Sequence, residues 1–234
     1  NAFTSYDMTA YYFSGTDHFD ECLRLLLEFV STPYFTQESV EKERGIIDQE
    51  IGMVADEPGS RVFENLMTAM YAAHPIRIPI LGTSDTIRDI TPQILHTCHR
   101  AFYHPENMLL CVVGDVDPEA VCAIAREVLC NAAGQAGQKA DFPAESMICP
   151  EKAVTANMDI AMPMFSLGFK CPPLDKGEAA VRREFIGDLA AEVLFGESSA
   201  LYLKLYEEGL IDSSFGGGFE TVDGCALLTC GGDS

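Results

Sequence analysis

Threonines and aromatic residues alternate from Ala2 to Phe13, a period of two that predicts a strand. The period then changes. Phe19, Cys22, Leu23, Leu26, Leu27 and Val30 fall three and four apart, which predicts a helix over 19–30. Thr36 is placed to cap a second helix running to about Val54, and Pro58-Gly59 breaks it. A third helix over about 60–73 ends at His74-Pro75, and residues 76–86 read as a loop containing Gly82. Thr91-Pro92 starts another helix, because proline at the first helical position forfeits no hydrogen bond. Asn107 to Gly114 reads as a short apolar strand, and Asp117-Pro118 opens a helix to about Leu129.

Composition then shifts. Residues 131–144 are small, polar and glycine-containing, which marks a linker, and we place it at 133–150. Beyond it come strands near Val154–Ile160 and Phe165–Lys170, a long helix to Phe195 and a stop at Gly196. Ser198 or Ser199 caps a short helix ending at Gly209, and strands around 216–222 and 226–230 follow. Strands and helices in this mixture, with hairpin-like ends, predict an α+β fold of helices layered on antiparallel or mixed sheet.

The totals narrow the function. With 47% hydrophobic residues the chain can bury a core, and 22% charged residues is ordinary for a globular protein. Its 36 Asp and Glu against 15 Lys and Arg give a formal charge of −21. That balance argues against nucleic acid and against an anionic membrane surface as partners. Solubility is the ordinary reading of the charge, and a negative chamber favouring basic peptides is the alternative. Nine cysteines show no CxxC pair, and several sit in apolar runs such as Leu109 to Val113. Such thiols are expected to be reduced, which points to the cytoplasm and speaks against a cysteine-rich redox or metal-storage protein. No apolar run approaches the roughly 18 residues of a membrane span.

Glu43 and Glu50 are seven residues apart, just under two helical turns, so both carboxylates lie on one face with Ile47 between them. After Arg44 this half of the helix holds no basic residue. A carboxylate at an apolar margin needs a cation or donors, and a metal would satisfy it. Taken alone, two glutamates on a helix are most often surface charge. His96, Cys98 and His99 lack a further ligand at metal spacing and read as structural. His18-Phe19-Asp20-Glu21-Cys22 falls on a core-facing amphipathic helix, and we read it as accidental.

Context adds to the glutamate pair. The opening Asn1 to Phe13, Val40 to Glu43 and Asp48 to Ile51 resemble the insulinase/pitrilysin family of zinc peptidases. The resemblance continues through His74-Pro75, Gly82-Thr83, Phe102 to Met108 and Val113 to Val116. Past the linker it includes Ser166 to Phe169, Phe195 to Tyr202 and Glu208 to Leu210. It covers nearly the whole chain and is closest to bacterial two-domain members. In that family a His-x-x-Glu-His helix supplies two zinc ligands and the general base, and a distant Glu is the third ligand. The resemblance therefore implies Zn2+ as cofactor, Glu50 as a metal ligand and Glu43 as its support. It also implies that the strand at Asn1, Ala2 and Phe3 lies beside a peptide substrate. No His-x-x-Glu-His occurs in the 234 residues, so the chain is expected to be an internal fragment, inactive alone, with the motif upstream. Residues 1–132 would be the later part of the zinc-bearing domain, and 151–234 the start of a second, similar domain. The family's active-site Arg and Tyr fall here on Leu205 and Asp212, which implies a homologous subunit, or a homodimer, that supplies them. A zinc endopeptidase acting on peptides or unfolded segments is the expected parent; a non-catalytic partner subunit is the alternative.

Overall fold

The computed structural model describes residues 1–129, 142–174, 176–222 and 224–234. Residues 133–141 of the expected linker lie outside the described residues. Contacts divide the chain into two units: Asn1–Asp48 with Thr83–Asp141, and Gln49–Gly82 with Phe142–Ser234. The fold is α+β, as the patterning predicts.

The first unit opens not on the single strand expected from Ala2 to Phe13 but on a hairpin, β1 (Ala2–Thr4) and β2 (Thr9–Tyr11), paired antiparallel with Ala2 opposite Tyr11, because the chain turns back at residues 5–8. Helix α1 (Phe19–Ser31) follows. Helix α2 (Gln37–Ala55) begins where Thr36 and Ser39 exchange bonds: the Ser39 N–H donates to Thr36 Oγ1 at 3.1 Å, and the Thr36 N–H to Ser39 Oγ at 3.0 Å. The reading of Thr36 as a cap is thus realised. Leu23 of α1 packs with Val121 and Ile124 on a later helix over Pro118–Leu129, and Phe13, Phe19 and Val112 close around them.

The second unit takes in the end of α2 from Gln49 and then α3 (Pro58–Met70), capped by the Glu57 carboxylate on the N–H groups of Gly59 and Ser60. A 3₁₀ turn at Pro75–Arg77 follows, where buried His74 accepts the Ile76 N–H on Nδ1 at 3.2 Å. Residues 76–86, expected as loop, also hold α4 (Ser84–Arg88), which belongs to the first unit with α5 (Pro92–Phe102) and α6 (Pro118–Leu129). Thr91 caps α5 as anticipated, accepting the Ile94 N–H at 3.3 Å.

Further along the chain, β3 (Met164–Cys171), α7 (Glu178–Phe195), α8 (Ala200–Glu207), β4 (Gly216–Val222) and β5 (Cys225–Asp233) complete the second unit. The sheet order is β3-β5-β4, antiparallel throughout. Ala191 and Phe195 of α7 join Tyr202, Ile211, Phe215 and Cys230 in its core. Helix α3 packs on β3, which lies nearly a hundred residues further along the chain. Gly168 makes this approach possible: a Cβ there would overlap Met70 Sδ and come within 3.0 Å of Leu66 Cδ1.

Two expected strands do not form. Asn107–Gly114 and Val154–Ile160 have no ladder partner among the described residues, and Leu109 and Val113 are 92% and 94% exposed. A strand is defined by its neighbour, so an apolar run without one stays extended chain. Among the described residues no helix is long and apolar enough to cross a membrane.

Candidate functional site

Helix α2 turns Val40, Arg44, Ile47, Ile51 and Val54 to its less exposed side, a stripe at three- and four-residue spacing. Arg44 anchors that side by donating to the Arg88 carbonyl at 2.8 Å, so it does not neutralise either glutamate. Glu43 and Glu50 stand on the flank of the stripe, roughly 20° apart around the axis and about 10 Å apart along it. Both are exposed, and neither has a hydrogen-bonding or ionic partner among the described residues. Next to them on the outer side lie Ile46 and Met53, 49% and 69% exposed. The face thus presents two exposed carboxylates bordered by exposed apolar side chains.

Zinc in a catalytic site takes three protein ligands and keeps a fourth position open. The described residues contain no group of three or more His, Cys, Asp or Glu side chains able to hold a metal ion. Glu50 is chemically a fit as one oxygen ligand, but the donors among the described residues do not by themselves make a zinc site. The histidines have other work. His99 Nε2 bonds the Val30 carbonyl at 2.8 Å while its ring stacks on Tyr103 at 4.7 Å, and His96 meets Phe35 edge-on at 5.1 Å. His18 lies exposed in a left-handed conformation, its Nδ1 3.0 Å from Glu21 Oε2.

The hairpin gives Asn1, Ala2 and Phe3 a defined geometry. Asn1 and Tyr12 exchange both backbone bonds at 2.9 Å, and the Ser5 N–H donates to the Met8 carbonyl at 2.8 Å. In an antiparallel pair inward-bonded and outward-facing residues alternate. Asn1, Phe3 and Ser5 therefore bond inward, and the N–H and C=O groups of Ala2 and Thr4 face the other edge of β1. That edge carries no strand among the described residues. It is a template onto which an extended peptide can pair.

Leu205 packs half-buried against the core of Tyr202 and Phe215, and Asp212 accepts the Ser214 N–H at 2.7 Å. The Ser214 hydroxyl and N–H hold the Asp212 carboxyl below its ordinary value. Neither residue offers a cation or a phenol.

Sequence reasoning missed a buried cluster in the second unit. Glu145, inside the expected linker, accepts the N–H groups of Ala72, Ala73 and His74 at 3.2, 2.7 and 2.9 Å. It also pairs with Lys170 at 3.1 Å, with side chains only 8% and 3% exposed. Lys170 lies 4.6 Å from the Tyr71 ring centre. A lysine near the end of a mostly apolar strand was the available signal.

Comparisons with known proteins bear on the whole chain. A model of the insulinase family (peptidase family M16) matches residues 1–84, and one of the peptidase M16 inactive domain matches residues 89–234. The uncharacterized zinc protease YmfH of Bacillus subtilis is 40% identical over 246 residues, covering all of this chain and 55% of that protein. An uncharacterized zinc protease of Rickettsia felis is 26% identical, with 89% of this chain and 49% of the relative aligned. The crystal structure of an M16-like peptidase from Alicyclobacillus acidocaldarius superposes with a TM-score of 0.92 at 33% identity, covering 100% of this chain and 56% of that one. A protease from Helicobacter pylori shares the fold, with a TM-score of 0.75 at 18% identity over 92% of this chain and 52% of that one. The chain spans about half the length of the curated relatives it matches.

Proposed function

This chain belongs to the insulinase (peptidase M16) family, and we propose that it is part of a zinc-dependent endopeptidase acting on peptides or small unfolded segments. Glu50 contributes one carboxylate ligand to Zn2+, and residues outside this chain contribute the others. Glu43 supports the site by fixing a ligating histidine through a hydrogen bond. The strand segment Asn1, Ala2 and Phe3 takes the substrate backbone as an added strand, through the outward N–H and C=O of Ala2. Residues 1–132 are the later part of the zinc-bearing domain, 133–150 the linker and 151–234 the start of the second domain. With Leu205 and Asp212 where an Arg and a Tyr would act, a homologous subunit or a second copy completes the site. Free thiols at all eight described cysteines support placing the enzyme in the cytoplasm.

The observation that carries this reading is the pair of unpartnered carboxylates on one face of α2, at the spacing of the family motif. In the full-length parent, Glu50→Gln is expected to lower zinc content and peptidase rate together, and Glu43→Gln to weaken zinc binding roughly tenfold or more. Elemental analysis checks both. Zinc content untouched by Glu50→Gln would sink the assignment. A second reading is a non-catalytic partner subunit, and the match of residues 89–234 to an inactive domain favours it. A full-length parent purified without zinc, and unable to take it up, would establish that reading instead.

A further inference from the structure

The outward edge of β1 is only as well placed as the hairpin that carries it. A two-stranded hairpin alone is marginally stable. This one is three residues long on each strand, and β1 itself is exposed along its length. One of its holds on the first unit is Tyr11, which lies directly across the ladder from Ala2.

The Tyr11 hydroxyl is 2.8 Å from that of Tyr103, the residue that ends α5. Its ring meets Phe29 of α1 edge-on at 6.0 Å. Tyr103 is fixed in turn: its N–H donates to the His99 carbonyl at 2.8 Å, and its ring stacks on His99. His99 is locked to α1 through the Val30 carbonyl. Two helices therefore meet at one phenol pair, and that pair grips the strand behind Ala2. Burial, and then the bond to Tyr11, push the Tyr103 phenol above its ordinary pKa, so it stays protonated through the whole physiological range.

We infer that Tyr11 and Tyr103 are positioning residues for peptide binding, setting the edge of β1 through their shared hydroxyl bond without touching the substrate. This rests on the reading of β1 as the peptide-binding strand. One neutral hydrogen bond is worth about fivefold in an equilibrium.

The test uses the full-length parent with Tyr11→Phe, Tyr103→Phe and the double variant. Binding of fluorescein-labelled, carboxymethylated α-lactalbumin, a permanently unfolded chain, is measured on metal-stripped protein; KM and kcat are measured on the zinc-loaded enzyme. Each single variant should raise Kd and KM about fivefold and leave kcat within about a factor of two. The double variant should be no worse than either single one, because both remove the same bond. Unchanged Kd and KM, a fall in kcat alone, or additive losses would overturn the inference. Ala2→Pro removes the outward N–H and separates the two levels. If it leaves Kd unchanged, the reading of β1 falls and the positioning role with it. If it weakens binding while the tyrosine variants do not, the positioning role alone falls.

Discussion

Glu145 shows how far one side chain can depart from what its neighbourhood suggests. It lies just past a run of small polar residues, yet its carboxylate is almost wholly covered and accepts four hydrogen bonds. Burial alone would raise its pKa, but the Ala73, His74 and Ala72 N–H groups and the Lys170 ammonium outweigh that and hold it at about 2. A carboxylate with a lowered folded pKa contributes stability above its unfolded value of 4.5, and that contribution disappears as pH falls toward about 2. Urea midpoints measured across this window should fall steeply for the natural chain and more gently for Glu145→Gln. At neutral pH the same variant should lose roughly 3 kcal/mol, because it strands a covered lysine. The Glu43 and Glu50 pair illustrates the opposite case. Their shared face was legible from a seven-residue spacing, since helical geometry alone fixes it, whereas Glu145 needed the fold to bring Ala72 and Lys170 to it.

At the level of elements, the contact of α3 with β3 depends on the missing side chain at Gly168. Gly168→Ala should cost about 1–3 kcal/mol, because Met70 is 2% exposed and has little room to retreat. Chemical denaturation of the full-length parent reads this directly. The helices other than α4 were legible to within a few residues because their starts are written locally: Thr36, Thr91 and Ser199 each accept a backbone N–H of the turn they open. The hairpin of β4 and β5 was legible as well. The failures at Asn107–Gly114 and Val154–Ile160 share one cause, since apolar alternation states that a segment can pair but not with what. The outward direction of Ala2 was likewise hidden, because it follows from the register against Tyr12 and Met8 and not from residue type.

Across the whole molecule, a charge of −21 opposes the apolar surface that the chain leaves uncovered. Leu109 and Val113 lie in an extended run, with no backbone ladder among the described residues. Such an edge invites pairing between copies, while like charge holds copies apart at low salt. The isolated chain should therefore associate more as sodium chloride rises from about 0.02 to 0.5 M, where the Debye length shrinks from roughly 20 to 4 Å. Leu109→Lys with Val113→Lys should suppress it. Sedimentation velocity at several concentrations distinguishes this from a salt-independent dimer, which would exclude the edge as its cause.

The small space at Gly168 also has a consequence in inheritance. Residue 70 lies before the expected linker and residue 168 after it, nearly a hundred positions on, yet a side chain at 168 would need the space that Met70 fills. A lineage that acquires a side chain at 168 should carry a shorter one at 70. The two positions are expected to co-vary among relatives, and recombination within the linker should yield viable chimaeras only between parents that agree at both.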